Sequence, residues 1–219
     1  MKAQDDKKVA FFGKITAGIT HEIRNVLAII QEASGLMEDI LAISPEAIIS
    51  HQDKIQIALD RIKDQITRGV ELTNRLNKFA HSTDESITEI DLYRITEQLV
   101  TLSMRFARNK HIVLKVHTPE ESIPVLTHPI QLQKALFECI ECCVNVMTSG
   151  GRISIYPRKS DKNPEVYFLC EGDLLSAAAF AQNDTWTDLK ETAASVGGSV
   201  KTDDSTPGIL LILPFLLEA

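Results

Sequence analysis

The run Phe11-Phe12-Gly13-Lys14-Ile15-Thr16-Ala17-Gly18-Ile19-Thr20-His21-Glu22-Ile23-Arg24-Asn25-Val26-Leu27-Ala28-Ile29-Ile30 sets the fold of this 219-residue chain. Read as a helix, it turns about 100° per residue. Measured from His21, the side chains of Phe12, Ile15, Ile19, Ile23, Val26, Ile30, Ala33, Met37 and Leu41 all fall at about 120–200°. An apolar stripe therefore lies opposite the histidine. Three and four residues from His21 stand Ala17, Gly18, Arg24 and Asn25, two nearly without side chain and two polar. The imidazole is expected on the solvent face, with Glu22 directly after it. A histidine held clear among small residues suits the docking of another protein better than a core. Most histidines on the polar face of a helix are simply solvated. Titration near neutrality and a nucleophilic neutral nitrogen allow a chemical role without compelling one.

Working outward, residues 1–8 are charged and are expected to fray. The first helix is expected from about Lys8 to Ile43. Ser44-Pro45-Glu46 has the form of a helix restart, with Ser as cap and Pro in the first turn. A second long helix follows to about Ala80, with its stripe at Ile55, Leu59, Ile62, Ile66, Val70, Thr73, Leu76 and Ala80. Two such helices form a hairpin but cannot bury both stripes. No further pair of long amphipathic helices follows, so self-association into a dimeric four-helix bundle is the expected answer.

The polar break His81-Ser82-Thr83-Asp84-Glu85-Ser86 divides the chain into expected domains 1–83 and 84–219. Beyond it the pattern changes. A strand end near Ile90 leads into a helix to Arg108, and Ile112–Val116 alternates as a strand. Val125-Leu126 is a short strand, and a helix runs from Pro129 to Met147. Strands follow at Ile153–Tyr156 and Val166–Cys170, a helix from Thr187 to Ser195, and closing strands at 199–201 and 208–214. The fold class is α+β: a long hairpin, then an α/β sandwich with one mostly antiparallel sheet under a helical layer.

A net charge of −7 without a basic cluster argues against general binding of nucleic acid or an anionic membrane. No apolar run reaches the length of a membrane span and no secretory signal opens the sequence, so a cytoplasmic protein is expected. Of four cysteines, Cys139, Cys142 and Cys143 share a helical spacing and Cys170 stands apart. The tight spacing lacks a flanking second pair, which favours buried thiols in a reducing cytosol over a metal site.

The string Gly13–Ile30 closely resembles the phospho-acceptor box of sensor histidine kinases, in which a helix of a dimeric four-helix bundle carries a phosphorylated His followed by Glu, with Asn or Thr four positions on. The resemblance maps these onto His21, Glu22 and Asn25. Kinases of this kind often have Pro after the Asn. Val26 stands there instead, and a straighter helix is expected. Most also carry an input or membrane module ahead of the box, where this sequence has about ten residues, so no N-terminal sensing domain is expected.

The second half resembles the ATP-binding domain of the same kinases in its scaffold, through His128–Leu136, Gly150–Ile155, Gly197-Gly198 and the final strand. The chemical positions depart from it. Alignment on Met147–Gly151 puts Cys142 where the family holds an Asn that binds the magnesium of Mg-ATP, and a thiol is a poor ligand for that hard cation. Cys170 takes the place of the Asp that reads adenine, within Leu169-Cys170-Glu171-Gly172-Asp173-Leu174-Leu175. About 25 residues separate Gly172 from Gly197, too few for a phosphate lid plus a helix. A slipped alignment would let Asn145 and Glu171 stand in. The resemblance thus implies a histidine phosphotransferase of the ChpT type, akin to the sporulation relay phosphotransferase. Such a protein would bind no cofactor and no metal itself. Its partners would be a second copy and response-regulator receiver domains that bring their own aspartate and magnesium. His21, Glu22 and Asn25 would be catalytic, and Ala17, Gly18 and Arg24 would meet the partner. A divergent active kinase, a receiver-domain phosphatase and a sequestering scaffold are the alternatives.

Overall fold

A computed structural model describes residues 2–43, 51–82, 86–160, 163–172, 175–202 and 207–214. The expected helix restart at Ser44-Pro45-Glu46 and the expected boundary at 83/84 lie outside the described residues. The chain is α+β, a long helical hairpin followed by an α/β sheet domain. It forms two compact units: Phe12–Phe79, and Met1–Phe11 together with Ala80–Ala219.

In the first unit, helix α1 (Lys2–Ile43) and helix α2 (Gln52–His81) form the hairpin. Side-chain pairs fix an antiparallel register. Phe12 stacks on Phe79 with ring centroids 5.0 Å apart, Glu22 pairs with Arg68, and Glu32 with Arg61. Gly69 faces Val26 across the seam, where an added Cβ would sit 3.4 Å from Val26 Cγ1. On α1 the expected stripe supplies the buried Ile15, Ile19, Val26 and Ala33, while Leu41 at its end is exposed. On α2 the seam keeps Ile55, Ile62 and Leu76 of the expected stripe and elsewhere lies one residue off it. Ala58 and Phe79 are buried and Ile62, Gln65, Gly69, Leu72 and Leu76 half-buried, at a regular three-four spacing. The expected Leu59, Ile66 and Val70 are exposed.

The second unit also takes in the start of α1. Its helix begins at Lys2 rather than near Lys8, and Lys7 Nζ pairs with Asp188 at 2.8 Å and Glu191 at 3.0 Å. The remaining elements are β1 (Thr88–Asp91), α3 (Leu92–Arg108), β2 (Val113–Val116), β3 (Pro124–Thr127), α4 (Pro129–Val146), β4 (Arg152–Lys159), β5 (Pro164–Glu171), α5 (Ala177–Ala181), α6 (Thr185–Ser195), β6 (Ser199–Lys201) and β7 (Gly208–Ile212). The single expected sheet is two. β1 and β3 form an antiparallel pair, and a five-stranded sheet runs β2-β4-β5-β7-β6. Only β2 and β4 pair in parallel there. Asp91 ties the pair β1-β3 to the start of α3. One carboxylate oxygen accepts from the N–H of Arg94, capping α3, and the other from Ser122 and the N–H of Ile123, which brings the start of β3 to β1.

The core lies between the main sheet and its helices. Ile153 and Ile155 on β4, Val166 and Phe168 on β5 and Ile209 and Leu211 on β7 share one sheet face and are buried. Helix α4 lies at the centre: every residue from Leu132 to Ile140 is buried. Pro129 opens it and Lys110 closes it, donating to the carbonyls of Val144, Asn145 and Met147. The turn before β4 needs glycine. Gly151 has φ +81°, and a Cβ there would lie 2.3 Å from the carbonyl oxygen of Glu171.

Candidate functional site

His21 is exposed on α1, as the helical arithmetic requires. Around it Ala17, Arg24 and Asn25 are exposed and Gly18 is buried. Asn25 lies one turn on, and its Nδ2 is 3.4 Å from His21 Nδ1. That contact occupies the inner ring nitrogen and leaves Nε2 as the outer one. Glu22 projects about 100° further round the helix, toward α2. There its Oε2 accepts from Arg68 Nη2 at 2.6 Å, with side-chain exposures of 15% and 42%. The structure therefore brings His21 and Asn25 together and places the Glu22 carboxylate on Arg68.

Arg68 is the residue the sequence reading missed. Only the pairing of the two helices puts it against Glu22. The sequence carries one weak sign, a cation beside Gly69, which faces Val26 of α1.

In the second unit, the positions aligned with nucleotide ligands lie inside. Cys142 and Cys170 are buried, as are Cys139 and Cys143. Helix α6 covers the Cys142 side of α4. Thr185 hydrogen-bonds Cys142, and burial pushes that thiol up to about 11. Two turns back on α4, Lys134 Nζ donates to Glu138 Oε1 and to Thr192 Oγ1 of α6, each at 2.6 Å. The alternative ligands, Asn145 and Glu171, are both exposed. Glu171 accepts from Ser154 Oγ at 2.5 Å. No group of three or more metal-ligating side chains occurs among the described residues. No described helix is long and apolar enough to cross a membrane.

No protein-family model matches the chain. It is 21% identical over 200 residues to sensor protein FixL of Bradyrhizobium diazoefficiens, covering 88% of this chain and 38% of that protein's length. In three dimensions, the catalytic domain of histidine kinase ThkA in a nucleotide-free form overlaps 61% of this chain and all of its own, with a TM-score of 0.53 and 14% identity. Acinetobacter baumannii histidine kinase AdeS overlaps 89% of this chain and 98% of its own, at TM-score 0.48 and 12% identity. The ThkA likeness shows a histidine kinase-like fold for the α/β domain.

Proposed function

We propose that the chain is a cytoplasmic, homodimeric histidine phosphotransfer protein of a two-component phosphorelay, which passes phosphoryl groups between receiver-domain aspartates through His21 and binds no ATP. One contrast carries this reading: His21 stands exposed, whereas Cys142, at the aligned magnesium-ligand position, is buried under α6. A reactive side chain open to a protein partner, beside a nucleotide domain whose ligand positions hold thiols, fits relay better than kinase chemistry.

In this scheme His21 Nε2 attacks the phosphorus of a receiver's aspartyl phosphate. The P–N bond forms as the P–O bond breaks, and the carboxylate leaves with its electron pair. Phosphoramidate and acyl phosphate are close in energy, so the reverse step discharges His21 to a second receiver, with positioning and the receiver's magnesium as the main requirements. Attack from Nε2 needs the tautomer with its proton on Nδ1. In the structure the Asn25 amide nitrogen faces Nδ1, so this tautomer requires the Asn25 amide to flip and present its oxygen to the Nδ1–H. Glu22 takes up the proton shed from the ring once its carboxylate swings from Arg68 toward His21. Ala17 and Gly18 leave room for the receiver, and Arg24 flanks its acyl phosphate.

The test mixes a radiolabelled phospho-receiver with the purified chain. Label is expected on His21 and absent from His21→Ala, and labelled ATP with magnesium is expected to leave the chain unlabelled. ATP-dependent labelling would restore the kinase reading, and a His21 that never takes label from any receiver would end the relay reading. Asn25, exposed beside His21, favours one second reading, a receiver phosphatase in which its amide positions a hydrolytic water. Undiminished receiver dephosphorylation by His21→Ala would select it.

A further inference from the structure

The outer face of the main sheet carries a feature that phosphorelay does not use. His117 extends the β2-β4 pairing by one residue, its N–H donating to Ile155 at 2.8 Å. That register sets it beside Tyr156, and the two rings stack with centroids 4.1 Å apart at 16°. Tyr156 is in turn the cross-strand partner of Tyr167 on β5. Three neighbouring strands thus present three rings in a row on the face opposite the core residues Ile155 and Phe168. All three are half-buried. Residues 118–123 wall this shelf, and the two enclose a cavity of about 510 Å³. That volume lies within the range of small-molecule sites.

The chemistry of the lining narrows the ligand. Arg158 lies over the Tyr167 ring with its Cζ 5.8 Å from the centroid, while its Nε donates to Glu165 at 2.6 Å. Lys159 follows on the same strand end and also lines the cavity. Glu120 and Glu121 line it as well, so the lining is of mixed sign and a bare inorganic anion gains little. His117 Nε2 is buried without a hydrogen-bond partner among the described residues. A buried polar atom left so is costly, and a ligand that reaches it removes that cost. Rings for a planar π-system and cations at the end of β4 are the complementary parts of one site.

We infer that the cavity between the His117–Tyr156–Tyr167 shelf and residues 118–123 binds a planar aromatic acid, its ring packed against the ring edges of the shelf and its anionic group toward Arg158 and Lys159. This site is independent of His21 and of the relay proposal.

The experiment is an NMR titration of the isotope-labelled full chain with naphthoate, its neutral naphthamide, and acetate. Naphthoate is expected to give saturable shifts at the amides of residues 117–123, 156–159 and 167, at a Kd below about 5 mM. Naphthamide is expected to bind about tenfold more weakly, the cost of one charge-assisted contact, and acetate not at all. Tyr156→Leu removes the central ring of the shelf and is expected to weaken naphthoate about tenfold. Lys159→Gln, on an exposed position that leaves the fold intact, is expected to narrow the preference for acid over amide. No saturable shift in that region, equal binding of acid and amide, or acetate binding as well as naphthoate would each overturn the inference.

Discussion

His21 owes its exposure to helical phase alone, whereas the side chains on either side of it show how one residue is set by another far off in sequence. Glu22 and Arg68 are 46 positions apart and meet at 2.6 Å. Arg68 is substantially exposed, so the pair is worth about 1 kcal/mol or less. Arg68→Ala is therefore expected to shift the unfolding midpoint little while slowing phosphoryl transfer to His21, a combination read from urea denaturation beside a single-turnover transfer assay. Asp91 is set more firmly. Burial raises its pKa, but hydrogen bonds from Ser122 and the backbone of Arg94 and Ile123 outweigh burial and hold the carboxyl below the usual range. A depressed folded pKa adds stability above the unfolded value, lost as pH falls through the folded one. Asp91→Ala is expected to cost about 1 kcal/mol at pH 7. Denaturation curves of the two proteins should converge when repeated below pH 4, as the native carboxyl takes up its proton.

At the scale of elements, α2 and α4 carry opposite lessons. Helix α2 is held to α1 by a thin seam, so its few buried residues matter greatly. Phe79→Ala, at a fully buried ring against Phe12, is expected to destabilise the chain by about 3–5 kcal/mol, measured by chemical denaturation. Helix α4 is enclosed along its middle, and its thiols should be chemically silent in the native state. A disulfide reagent at pH 8 is expected to leave Cys142 unmodified until denaturant is added. Its raised pKa carries a linkage of its own. That contribution to stability is complete below the unfolded thiol value of about 8.5 and fades as pH rises toward the folded value near 11.

For the molecule as a whole, the informative feature is apolar surface left on the hairpin. Ile66 and Val70 are 53% and 56% exposed, and Leu59 and Leu27 are exposed too. A lone hairpin that shows such a stripe to water is short of a partner, and a second copy supplies a matching one by symmetry. The dimer in the relay proposal is thereby open to a direct test. Ile66→Lys with Val70→Glu is expected to halve the mass found by sedimentation, with helicity retained. An unchanged mass would place the stripe's partner elsewhere.

The succession of elements was legible in the sequence nearly throughout, because periods of 3.6 and 2 are local properties of the chain. So were the exposure of His21, the stripe on α1 and the thiols at the aligned nucleotide-ligand positions. Three things waited for the tertiary structure. The seam of α2 kept Ile62 and Leu76 but took Gln65, Gly69 and Leu72 in place of Ile66 and Val70, because a helix with apolar residues on two adjoining faces can turn either one to a neighbour. β1 and β3 form a pair apart from the main sheet, and the hydrogen bonds of Asp91 that tie them join segments about thirty positions apart. The Arg68 contact and the ring shelf on the outer sheet face arose the same way. Local periodicity says which way a side chain points along its own element, and only packing says what it meets.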